Sequence, residues 1–177
     1  MAHTDTHLET KGFRHYASKP LKAFKTPSKL GIDFKPHGTL WLSCGNDWMK
    51  WIQAEMLTWR TRYPWEYTIH VDTSKLLCIE TPAQVRAITR KFGVPRSNTY
   101  AIDWDKIREA HPQYSGVYIK NPYMMRQDIM TNKVNLKYVW FQTFDVCSVA
   151  LWSFESVNSV KLVKANPTVL QKIRHLI

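Results

Sequence analysis

Apolar and polar positions along the chain fall into short segments of two different periods. Six compact or alternating runs predict strands: GFRHYAS (12–18), GTLWLS (38–43), WEYTIHVD (65–72), KLLCIE (75–80), SGVYI (115–119) and VCSVALWSF (146–154). YVWFQTF (138–144) reads as a further strand, and SVNSVKLV (156–163) adds another near the end. Helical spacing appears in 44–62, where Trp48, Trp51, Ile52, Glu55, Met56 and Trp59 line one side and Asn46 or Asp47 supplies the cap. A second helix is predicted over PAQVRAITRKFG (82–93), opened by Thr81-Pro82 and stopped at Gly93. A third, shorter one falls on WDKIREAH (104–111).

Between these elements, residues 19–38 contain three prolines, two glycines and many lysines, the mark of an irregular loop. Residues 121–137 read as a long variable loop, and 1–10 as a loose polar terminus preceding one domain over 11–177. Helices come early and most strands late, without the regular alternation of parallel α/β units, so the expected class is α+β. A length of 177 residues suits one domain with a well-buried core.

Charge changes this picture. Lys and Arg number 25 against 14 Asp and Glu, a net charge of +11, and the excess gathers at the two ends. Lys11, Arg14, Lys19, Lys22, Lys25, Lys29 and Lys35 face Asp33 alone in 11–35, and Lys161, Lys164, Lys172 and Arg174 close the chain without an acid. Such a balance favours polyanions, so nucleic acid or an acidic protein is the candidate partner; a solvated basic surface is the plainer use of the same residues. Tyr63, Trp65, Tyr67 and Tyr123 are candidate stacking rings on that surface. Cys44, Cys78 and Cys147 are far apart and odd in number, with no metal-ligand spacing. Neither a disulfide framework nor a metal site is expected. No membrane-length apolar run and no signal-peptide pattern occurs, so the expected setting is cytoplasmic.

Four short motifs then follow one another in an informative order. They are Arg14-His15-Tyr16-Ala17-Ser18, then Gly38-Thr39-Leu40-Trp41-Leu42-Ser43 followed by a helix with Trp48 and Trp51, then Tyr114-Ser115-Gly116-Val117-Tyr118-Ile119, then Cys147-Ser148-Val149-Ala150-Leu151-Trp152. In order and spacing, from about residue 12 to 163, they resemble the landmarks of the NAD-dependent ADP-ribosyltransferase superfamily. That resemblance implies a split two-sheet core with an NAD cleft between the sheets, and transfer of ADP-ribose to a protein or nucleic-acid acceptor. It also implies roles. His15, with Tyr16 and Ser18 beside it, orients the adenosine-side ribose. Trp41 on the strand, with Trp48 or Trp51 on the helix, holds the nicotinamide ring, and Ser43 hydrogen-bonds nearby. By analogy, a small basic glycosyltransferase of this kind suits a phage or bacterial toxin or host-modifying factor.

One position departs from the resemblance. The family's catalytic glutamate, which stabilises the cationic ribose, falls at or near Ser148. A serine hydrogen-bonds but brings no negative charge. Asp145 and Glu155 are the acids within reach, although strict strand alternation puts residues 145 and 148 on opposite faces. His37-Gly38-Thr39 is the second candidate for the first motif, through the superfamily's tRNA 2′-phosphotransferase branch. The same triplet fits H-x-[ST] of the 2H phosphoesterases, but that chemistry needs a second copy and none follows. The non-enzymatic alternative is a basic nucleic-acid- or partner-binding domain.

Overall fold

A computed structural model describes residues 12–59, 62–130 and 136–165. The expected loose terminus, together with Lys11, Lys172 and Arg174, lies outside the described residues. Among the described residues, ten strands form two sheets. The larger orders its seven strands β10-β4-β1-β3-β9-β8-β5, and the smaller runs β2-β7-β6. In chain order these are β1 (Phe13–Ala17), β2 (Ile32–Asp33), β3 (Leu40–Cys44), β4 (Trp65–Val71), β5 (Leu76–Ile79), β6 (Gly93–Arg96), β7 (Thr99–Asp103), β8 (Gly116–Ile119), β9 (Ser148–Leu151) and β10 (Val157–Ala165). The described α-helices are α1 (Asp47–Glu55), α2 (Pro82–Phe92), α3 (Trp104–Ala110), α4 (Pro122–Met130) and α5 (Val139–Gln142). The chain is mixed α+β, as the pattern predicts. No described helix is long and apolar enough to cross a membrane.

Local chemistry explains most elements. Thr81 caps α2 in a reciprocal capping box with Gln84, Pro82 occupies the first turn, and Val85, Ile88, Thr89 and Phe92 form its buried stripe. Gly93 then leads directly into β6, where a Cβ would meet the Thr89 carbonyl oxygen. Asp103 caps α3 by accepting from the Lys106 N–H, and Trp104 and Ile107 are buried beneath. The lysine-rich segment before β2 is irregular but anchored. The Asp105 carboxylate accepts the N–H groups of Leu30 and Gly31 at 2.9 and 3.0 Å, and Arg108 donates to the Pro27 and Ser28 carbonyls.

Two expectations are corrected. YVWFQTF is no strand: 139–142 is helical, because Trp140, Phe141 and Phe144 are all buried on one side, a helical and not an alternating arrangement. The expected loop 121–137 contains α4, with Met125 buried. Adjacent runs β4 and β5 are not sheet neighbours: β5 lies at the far edge, parallel to β8, while β4 joins β1 and β10. The β6–β7 hairpin, turning at Ser97 with φ of 49°, was not foreseen.

The large sheet buries both faces unequally. Phe13, Leu40, Leu42, Tyr67, Ile69, Val149 and Leu151 project to one face, where Leu21 and Phe24 of the lysine-rich segment pack on them. On the other face, Ile79, Val117, Ile119 and Ala150 join the core built with α2, α3, α5 and the small sheet. The rest of that second face, over β4, β1 and β3, carries the polar residues described next.

Candidate functional site

The ladder register places Thr68, Arg14, Ser43 and Ser148 side by side across β4, β1, β3 and β9. One step along, Glu66 and Tyr16 pair across β4 and β1, and Trp41 and Ala150 pair across β3 and β9. Alternation puts all these side chains on one face. Over them lies a cavity of about 420 Å³, lined by Arg14, His15, Tyr16, Lys35, Thr39, Trp41, Leu42, Ser43, Trp48, Tyr63, Asp145, Val146 and Ser148.

His15 enters the cavity because β1 and β3 part there. Their ladder stops after two pairs, Phe13↔Cys44 and Arg14↔Ser43, while β1 stays paired with β4 through Ala17. In the gap, His15 Nδ1 donates to the Trp41 carbonyl at 2.8 Å. That bond leaves Nε2 as the acceptor of the neutral ring. Burial holds the imidazole below its ordinary pKa of 6.5, against the opposing pull of the Trp41 carbonyl.

The rest of the wall is aromatic and cationic. Tyr16 stacks on Trp48 with centroids 5.6 Å apart, and Tyr63 meets Trp48 edge-on at 4.7 Å. Burial first, then the Glu66 carboxylate, pushes the Tyr16 phenol up to about 12, so it stays a neutral donor. Arg14 donates to Thr68 Oγ1 at 2.7 Å and pairs with Glu66 at 3.3 Å. Lys35 lies 5.6 Å from the Trp41 ring centre and 5.3 Å from that of Phe144. Burial draws its ammonium below the ordinary lysine value, and the Asp145 charge opposes the shift.

The carboxylate side is held from behind. Arg126 donates to the Asp145 backbone carbonyl at 3.1 Å and stands 3.8 Å from its carboxylate. Ser148 Oγ donates to the Val146 carbonyl at 2.7 Å, so its lone pairs remain free to accept. A disulfide joins Cys44 to Cys147, with Cα atoms 5.4 Å apart, and so ties β3 to the segment that carries Asp145 and Ser148. This corrects the expectation that the cysteines stay unpaired. The register makes positions 44 and 147 the next opposed pair after Ser43 and Ser148, a juxtaposition that 103 residues of separation hid.

Seven of the nine site residues expected from the motifs line this one cavity: His15, Tyr16, Trp41, Ser43, Trp48, Asp145 and Ser148. Two do not. Ser18 is exposed just beyond the end of β1, and Trp51 is half-buried and outside the cavity lining. Asp145 lines the same cavity as Ser148, because β9 begins only at Ser148 and residue 145 lies before strand alternation applies. Glu155 is exposed in the turn after β9 and is not part of the wall. His37 sits in a neighbouring groove, 2.8 Å from the Asp33 carboxylate. The expected cleft between the two sheets is instead a cavity over one face of the large sheet, with Lys35 contributed from the segment after β2. Arg14, Lys35 and Thr39 were missed as site residues, and Tyr63, expected as a surface stacking ring, lines the cavity. For Arg14 the signal was present, since it shares strand parity with Tyr16. Of the candidate stacking rings, Tyr67 is buried, Trp65 half-buried and Tyr123 exposed. Comparisons with protein-family models, with curated proteins and with solved structures find no match to this chain.

Proposed function

We propose that the chain binds NAD in the cavity over β1, β3 and β9 and transfers its ADP-ribosyl group to an acceptor. One observation carries the reading: residues drawn from three separate motifs, His15 and Tyr16, Trp41 and Ser43, and Ser148, converge with Trp48 and Asp145 on one cavity. The lining suits the ligand. A volume of about 420 Å³ lies within the range of small-molecule sites. Flat rings, a guanidinium, an ammonium and several hydroxyls match a molecule made of aromatic bases, sugars and a pyrophosphate.

NAD would supply an ADP-ribosyl group on a labile glycosidic bond. Toward it, Arg14 and Lys35 offer positive charge to the pyrophosphate, and His15 Nε2 accepts from a ribose hydroxyl. Trp41 and the Tyr16–Trp48–Tyr63 cluster provide faces for a planar ring; Trp48 already stacks on Tyr16, so this wall is a cluster rather than a free indole. Ser43 and Ser148 face the ribose as hydroxyls. Asp145 supplies the negative charge that Ser148 lacks, set beside the developing positive charge or ready to take the proton of an incoming nucleophile.

Calorimetric titration with NAD tests the reading. Binding in the micromolar-to-millimolar range is expected, weakened about tenfold or more in Arg14→Ala, since charge-assisted hydrogen bonds are worth about 1.5–3 kcal/mol. No heat with the wild-type protein sinks the proposal. The serine at position 148 favours one second reading, a cavity that binds without transferring. Nicotinamide release on incubation with NAD decides between them: release lost in Asp145→Asn supports transfer, and binding without release supports the second reading.

A further inference from the structure

A second depression shares a wall with the cavity. It is an open groove of about 320 Å³ between α1 and the start of α4, and Asp145 and Val146 line both spaces. Its other walls include Asp47 and Lys50 of α1 and Asn121, Tyr123 and Met124. Asn121 takes a left-handed conformation, φ 44°, turning the chain sharply from β8 into α4. Just after that turn, Tyr123 and Met124 are 63% and 61% exposed, the two most exposed large apolar side chains among the described residues. Neither contributes to the core, and both stand beside the carboxylate at the junction of the two spaces.

Resting on the reading of the first cavity, we propose that this groove is the acceptor subsite and that it takes an unpaired base of a single-stranded nucleic acid. Three features point to that chemistry. A solvent-exposed phenol ring with a thioether beside it is a stacking platform that any base can use. The Asp47 and Asp145 carboxylates accept hydrogen bonds from the amino and imino groups of a base edge, while Lys50, 75% exposed and 4.0 Å from Asp47, is placed to meet a phosphate. The charge of +11 attracts a polyanion and repels the cationic peptide that two carboxylates alone would suggest. A duplex keeps its bases stacked inside, so a groove of this size admits only a base already unpaired or flipped out.

Fluorescence anisotropy tests the subsite without any reaction. The probes are a fluorescein-labelled, mixed-sequence single-stranded DNA, its RNA counterpart and the matching DNA duplex, each titrated with the full chain. The single strands are expected to bind more tightly than the duplex. Tyr123→Ala should weaken single-strand binding about tenfold, within the range measured for loss of one stacked base, and leave the NAD titration unchanged. Lys50→Ala should weaken binding less and flatten its salt dependence. The DNA and RNA arms show which sugar the groove accepts. Single-strand binding that is unchanged in Tyr123→Ala, duplex binding as tight as single-strand binding, or capture of an arginine-containing peptide in place of the oligonucleotide overturns the proposal. Tyr123-dependent oligonucleotide binding by a protein that shows no heat with NAD upholds the groove and refutes the transferase reading alone.

Discussion

The second face of the large sheet has two halves that differ in chemistry more than in geometry. Over β8 and β5 it presents Val117, Ile119 and Ile79, and helices and the small sheet close over them until exposure falls to zero. Over β4, β1 and β3 the same face presents Glu66, Thr68, Arg14, Tyr16, Ser43 and Trp41, and the chain leaves a cavity. Both halves have paired backbones and alternate in the same way. A covering layer would strip water from the charges of Arg14 and Glu66 at a cost their single contact does not offset. Among the described residues the polar half therefore stays open. It is pre-organised by its neighbours: Arg14 is fixed by Thr68 and Glu66, His15 by the Trp41 carbonyl, and Asp145 by Arg126. The covered half supplies stability and the open half spends part of it on a site.

Truncation at matched tryptophans should separate the halves most clearly. Trp140 is fully buried and its Nε1 donates to Thr89 Oγ1 at 2.8 Å. Trp140→Ala is expected to cost about 3–5 kcal/mol in urea unfolding. Trp48, half-buried on the cavity wall, loses two ring contacts on truncation, and Trp48→Ala should cost only about 1–2 kcal/mol while weakening NAD binding. Equal costs would break the comparison.

Reduction of the Cys44–Cys147 bond comes next in size. It frees a tether spanning 103 residues and should lower stability by about 2–4 kcal/mol. The tether joins β3 to the segment that carries Asp145 and Ser148, so once a thiol mass label confirms reduction, calorimetry should also show weaker NAD binding. Unchanged stability on reduction would mean that the β3–β9 ladder alone holds Ser148 opposite Ser43.

The smallest effect is a pH dependence confined to the open half. Burial keeps the folded pKa of His15 below the unfolded value of 6.5. As pH falls through 6.5, the unfolded chain takes up the proton first, so stability present above that pH is lost on the way down to the folded value. His15→Gln should remove this slope when unfolding is followed on either side of pH 6.5. An unchanged slope would assign it to another group.

Residue chemistry visible in the chain located most of this site. Short motifs far apart, read through their resemblance to a known superfamily, carried His15, Tyr16, Trp41, Ser43, Trp48 and Ser148. Trp51 entered as the resemblance's alternative to Trp48 on the helix, and helical periodicity marks a face without saying what that face meets. Ser18 was drawn in by its place in the motif, one residue past the end of the strand.

Local sequence also determined α2 with its Thr81 capping box, α3, the class of the fold and the positive charge, since capping, periodicity and composition act over a few residues or none. Tertiary structure decided the rest. It placed β5 beside β8 and not β4, made 139–142 helical by burying Trp140 and Phe141 together, and opposed Cys44 to Cys147. It also brought Lys35, Tyr63 and Asp145 to the cavity from irregular segments. Those outcomes depend on which surfaces meet across long stretches of chain, and pairing of that kind leaves no periodic trace in the residues that take part.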